Sequence, residues 1–190
     1  MTQVPAHLQD AATLLSETGF ATSNVWYHGT SSALLESIMT EGLKGSGDQA
    51  LQQSVAKTLE TIGHNDLEQT KEPVFLTQSR ELAYYWAQQC VRNRSVRFEG
   101  EEQPVVLALE LPESLQQQVK PDVGAAAMLI ARTDEYFDYL EDLYKQNEVA
   151  FPLLHPTQTD RADYLDKLGM AYIDLDIEPQ YLCDVTDAPA

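Results

Sequence analysis

Two short stretches hold the side chains best suited to chemistry. In the first, residues 25–32 (VWYHGTSS), an apolar run passes into His28, Gly29 and three hydroxyl residues. An imidazole is a hydrogen-bonding group that can donate and accept near neutral pH. A glycine lets another group come close to the backbone, although it also serves simply as a turn. In the second, residues 74–87 (VFLTQSRELAYYWA), a short apolar strand leads through Ser79 into a helix. On that helix Leu82, Ala83, Trp86, Ala87 and Cys90 fall on one stripe, which leaves Tyr84 and Tyr85 on opposite flanks. Packing of that stripe accounts for neither tyrosine. Each is either a ring packed under a neighbouring loop or a platform on which a ligand ring stacks.

The remaining candidates are more isolated. Glu148 opens the apolar run of residues 147–152 (NEVAFP), where it is either a surface carboxylate at a strand start or a functional acid. Arg92, Arg94 and Arg97 form the one basic cluster. A solvated loop is the favoured reading of it, with contact to a diphosphate or an acidic target as the alternative. His64 and His155 sit in polar or proline-flanked loops without metal-ligand spacing, so no metal is expected. Cys90 and Cys183 form no CxxC pair, and Cys90 reads as a buried reduced thiol.

These residues must be positioned by a chain of 190 residues, 43% of them hydrophobic, enough for one domain over 1–190 with its own core. Thirty acidic residues against 12 basic ones give a net charge of -18. That balance reads as a solvated surface and disfavours a nucleic-acid polyanion as partner. No signal peptide is apparent and no apolar run approaches membrane-spanning length, so the expected location is cytoplasmic, with delivery into another cell as an alternative.

The predicted elements are a helix over 8–18, a strand over 25–28 and a helix capped by Ser31 or Ser32 and stopped at Gly42. A helix over 49–62 follows inside an insertion spanning 44–72. A strand over 74–77 precedes a Ser79-capped helix to about Cys90, and residues 105–111 form the strongest strand. A Thr133-capped helix then leads to a strand over 148–153. A short helix over 160–168, a strand in 171–177 and a loose tail at 186–190 complete the chain. Strands and helices mix without strict alternation, which predicts an α+β domain. Neither GxGxxG nor GxxxxGK[ST] is present.

Taken together, the pattern YHGTSSALLESIMTEGL followed by VFLTQSRELAYYWA resembles the ADP-ribosyltransferase superfamily, in its His-Tyr-Glu branch of diphtheria-type toxins and poly(ADP-ribose) polymerases. The matching segments span 25–43 and 73–87, under a fifth of the chain. The resemblance implies two small packed sheets with NAD as co-substrate in the cleft between them. It implies that His28 bonds a ribose hydroxyl, that the Gly29 backbone pairs with the nicotinamide amide, that Thr30 or Ser31 adds a hydroxyl, and that Tyr85, matching better than Tyr84, stacks on the nicotinamide. A third residue, a glutamate at the start of a later strand, falls on Glu148. Such a carboxylate would stabilise positive charge on the ribose. A rival alignment on the strand AYIDLDI puts this position at Ala171, with Asp174 as the nearest acid.

The implied activity is mono-ADP-ribosyl transfer to a protein or nucleic-acid acceptor, in a toxin or effector with a possible antitoxin or immunity partner. The alternatives are NAD hydrolysis and an inactive binding module. The Ser-Thr-Ser strand of the arginine-modifying branch is not found, and the acidity argues against RNA 2′-phosphotransfer.

Overall fold

The computed structural model describes residues 3–61, 72–122, 124, 135–155 and 157–187. Among these residues it is an α+β fold built on two three-stranded antiparallel sheets and a two-stranded hairpin. The strands are β1 (Leu15–Ser16), β2 (Gly19–Phe20), β3 (Val25–Ser31), β4 (Val74–Leu76), β5 (Pro104–Glu110), β6 (Lys120–Pro121), β7 (Ala171–Ile173) and β8 (Leu182–Asp184). The α-helices among the described residues are α1 (Ala11–Leu14), α2 (Ser32–Glu41), α3 (Gln49–Thr61), α4 (Arg80–Ser95), α5 (Glu113–Gln116), α6 (Glu135–Gln146) and α7 (Arg161–Asp166). Short 3₁₀ turns occupy Ala6–Leu8 and Pro179–Tyr181. Among the described residues no helix is long and apolar enough to cross a membrane.

The first sheet has the order β3-β5-β8 and the second β4-β7-β6. Residues rich in Val, Leu and aromatics fit such a buried pleated surface. The sheets meet where Tyr27 of β3 and Thr77, just past β4, exchange backbone hydrogen bonds of 2.8 and 3.0 Å. Trp26, Leu76, Leu107, Leu109 and Ile173 belong to one core, which α2 joins through Ile38. A second core gathers α4, α6 and α7 through Leu82, Tyr85, Tyr136, Leu140 and Tyr164. Helix α4 therefore touches protein on most of its circumference, with β3 against it on one side and α6 on another.

Both helices that follow the chemical motifs have built caps. The Ser31 hydroxyl accepts Ala33 N–H at α2, and the Ser79 hydroxyl accepts Leu82 N–H at α4. Asp10 reinforces the second cap from a distance. Its carboxylate accepts the Ser79 hydroxyl at 2.6 Å and Arg80 N–H at 2.8 Å, and it sits at the positive end of the helix.

Several expected boundaries move. β3 continues through Gly29 to Ser31, because β5 pairs with it as far as Pro104. The expected helix over 8–18 stops at Leu14, and Leu15 turns into a hairpin with Phe20. Helix α4 runs on to Ser95, so Arg92 and Arg94 are helical and not part of a loop. No strand forms over 148–153. The late strand ends at Ile173, although Ile177 makes an isolated bridge to Leu43. His64, Thr133 and residues 188–190 of the tail lie outside the described residues.

Candidate functional site

A cavity of about 450 Å³ opens between the two sheets, beside the edge of β3. Tyr27, His28 and Gly29 line it from β3, and Phe75, Leu76 and Thr77 from β4 and its exit. Trp86 contributes from α4, and Asp122, Gly124, Gly169, Met170 and Ala171 close the remaining side. Most of this wall is apolar. Among the described residues it carries one imidazole and one carboxylate, and neither lysine nor arginine. Such a wall suits an aromatic or sugar-sized group with a few directed polar contacts.

Strand geometry aims two of the groups. Tyr27 directs its N–H and C=O away from β5, to Thr77. Backbone groups alternate between the two edges of a strand, so Gly29, two residues on, turns its N–H and C=O to the same edge, where the cavity begins. Side chains alternate between faces, and His28 faces β4. His28 Nδ1 lies 2.8 Å from Phe75 O. A carbonyl can only accept, so Nδ1 carries the hydrogen. Burial pushes the His28 pKa below the usual 6.5, against an opposing pull from the Phe75 carbonyl. The ring is therefore neutral at pH 7, and Nε2 is left as an acceptor.

Gly29 has a second constraint, on its other side. A Cβ there would stand 1.9 Å from Ala83 O and 2.5 Å from Ala87 N, both in the backbone of α4. Its missing side chain thus lets the helix lie against the strand. The expectation that glycine is there to admit a ligand is corrected to this extent: the Cβ direction belongs to α4, and the backbone edge belongs to the cavity.

Several other expected site residues lie elsewhere. Tyr85 does not line the cavity. Its ring is buried in the second core, stacked on Tyr139 at a centroid distance of 4.7 Å and edge-on to Trp86 at 5.2 Å. The stripe reading of α4 fails because the helix is enclosed on several sides, so both flanking tyrosines are buried while Trp86 keeps an open face. Trp86 is the aromatic side chain of α4 that lines the cavity. Thr30 is buried beside Cys90, and Ser31 is the α2 cap whose hydroxyl also donates to Glu102. Neither lines the cavity.

Glu148 is exposed at the end of α6, with a left-handed φ of 59°, and is not among the lining residues. Its N–H closes the last helical turn onto Lys145 O, so it ends a helix and starts no strand. Ala171, the rival position, does begin β7 and lines the cavity. Asp174 is exposed and paired with Lys120 at 2.9 Å, outside the cavity wall. Two arginines of the basic cluster are committed elsewhere, and Arg97 is exposed. Arg92 meets Glu135 at 2.6 Å, and the buried Arg94 binds Glu102 at 2.7 Å and also Asp48.

One carboxylate in the wall escaped the sequence reading. Asp122 follows β6 directly, is buried, and receives Gly124 N–H on Oδ1 at 2.7 Å. Its backbone N–H donates to Met170 O at 2.9 Å, which sets it beside the start of β7. A lone aspartate after a proline gives no sequence signal; only the pairing of Pro121 with Ala171 brings it there. Scans against protein-family models, curated proteins and solved structures found no match.

Proposed function

We propose that the cavity binds the nicotinamide–ribose end of NAD and that the protein is an ADP-ribosyltransferase, moving ADP-ribose to a macromolecular acceptor. The observation that carries this reading is the neutral His28, tied by Nδ1 to Phe75 O and adjacent to the cavity-edge peptide of Gly29. An acceptor nitrogen suits a ribose hydroxyl, which can donate. An exposed N–H and C=O on one residue suit the carboxamide of nicotinamide, which needs one acceptor and one donor. The pyridinium ring of NAD is cationic, and the Trp86 face is the natural surface for it. Two small sheets joined at one bridge, with a cleft at the joint, support the fold that such an enzyme uses. Among the described residues the cavity wall has no basic side chain, and the diphosphate would lie toward the open side.

The test is NAD titration followed by tryptophan fluorescence. Trp26 is buried in the core, so a saturable change reports Trp86 and disappears in Trp86→Phe. His28→Ala weakens binding about tenfold, the worth of a well-placed hydrogen bond. A chain that shows no saturable response to NAD by fluorescence or calorimetry would end this reading. A second reading, a module that holds NAD without cleaving it, is favoured by Ala171, the carboxylate position of the rival alignment, lining the cavity while Glu148 does not. Its signature is NAD binding without nicotinamide release.

A further inference from the structure

The wall contains a carboxylate that directly follows β6, the strand paired with the β7 of the rival alignment. We infer that Asp122 is the catalytic carboxylate of this cavity, an inference that rests on the NAD reading above. Strand β6 pairs with β7 so that Pro121 lies opposite Ala171. Asp122 is the next residue, and its N–H donates to Met170 O, so the ladder carries one step further toward the cavity. Ala171, opposite Pro121, lines the cavity itself. The Asp122 side chain is buried and enters the same wall as His28 and Trp86. Gly124 N–H holds Oδ1 at 2.7 Å, which fixes the carboxylate's orientation.

The chemistry needs a fixed negative charge at this place. In NAD cleavage the bond between ribose C1′ and the nicotinamide nitrogen breaks heterolytically. Its electron pair returns to the ring nitrogen and cancels the pyridinium charge, so nicotinamide leaves neutral. The positive charge passes to C1′ and the ribose ring oxygen. A preset carboxylate in a mostly apolar wall stabilises that charge more than it stabilises the bound substrate. The acceptor then donates a lone pair to C1′ and loses its proton. With water as acceptor, NAD and water give ADP-ribose, nicotinamide and one proton.

The experiment measures nicotinamide release from NAD by wild type, Asp122→Asn, Asp122→Ala and Glu148→Gln, alongside NAD binding by fluorescence. Release falls on the order of 10²-fold or more in both Asp122 variants, while NAD binding persists. Glu148→Gln, at the far helix end, stays within about twofold of wild type, below the 0.5 kcal/mol typical of surface changes. Sodium formate restores release in Asp122→Ala in a saturable way, and sodium chloride does not. Release by Asp122→Asn within about threefold of wild type would overturn the assignment and leave the NAD reading standing, since one lost group of this kind costs at least ten times more. NAD binding by wild type without release would also overturn it. Loss of both binding and release in the variants, with formate restoring neither, would make Asp122 a structural residue. Absence of NAD binding in wild type would end both readings.

Discussion

Gly29→Ala separates two jobs that one residue performs, and its cost follows from the geometry. The added methyl would lie 1.9 Å from Ala83 O, and real Cβ atoms essentially never approach closer than 3.0 Å, so strand and helix must separate by about 1.1 Å. The atoms it meets belong to the α4 backbone, so no rotamer change relieves the contact. Helix α4 also packs Leu82 and Tyr85 into one core and Ala83 and Tyr84 into another, and both would have to follow. Overpacking of this kind costs roughly 1–3 kcal/mol, and the upper end applies when backbone must move. For a chain of this size each kcal/mol moves the midpoint by about 2–4 °C, so Gly29→Ala should melt about 6–12 °C lower. Circular dichroism melting of the ligand-free protein is the assay. A midpoint within about 2 °C of wild type would refute the packing argument, since it corresponds to under ~1 kcal/mol. A variant that melts normally but loses NAD binding would show that the glycine serves ligand approach alone.

Two further outcomes test the surroundings of the site. Arg94→Ala strands Asp48 and Glu102, carboxylates that are 17% and 14% exposed, and should cost about 3 kcal/mol by urea unfolding. A loss under ~1 kcal/mol would mean these charges are solvated without Arg94. Because the Arg94 hydrogen bond holds the Glu102 carboxyl below its usual range, the wild-type benefit is present above about pH 4.5 and disappears as pH falls through the lower folded value. The His28 shift has the same sign for a different reason. The unfolded chain takes up a proton near pH 6.5 that the half-buried ring resists, so stability declines as pH falls below 6.5. The urea midpoint should therefore drop more steeply between pH 7 and pH 5 in wild type than in His28→Asn, and parallel slopes would place His28 in an ordinary solvated setting.

Legibility along the chain follows how local each feature is. Ser31 and Ser79 were readable as caps because an N-cap needs only a hydroxyl and the following turn. β5 was readable because a run of Val and Leu with no breaker has one plausible fate. The tyrosines of α4 were not, because periodicity assumes one buried face, and this helix is packed on several. The same assumption assigned Trp86 to the core, although it is the side chain that meets the cavity. Glu148 failed because a helix exit and a strand entrance look alike when an acidic residue precedes Val, Ala and Phe; only its positive φ distinguishes them. Asp122 is the extreme case. Its relation to His28 depends on β6 pairing with β7, on β7 pairing with β4, and on β4 meeting β3 at Thr77. Three successive pairings between segments distant in sequence carry no local signature, so a site assembled from them is visible only after folding. The residues that sequence picks out, His28 and Gly29, are neighbours on one strand, whereas Asp122, which it misses, reaches the same cavity from a distant segment.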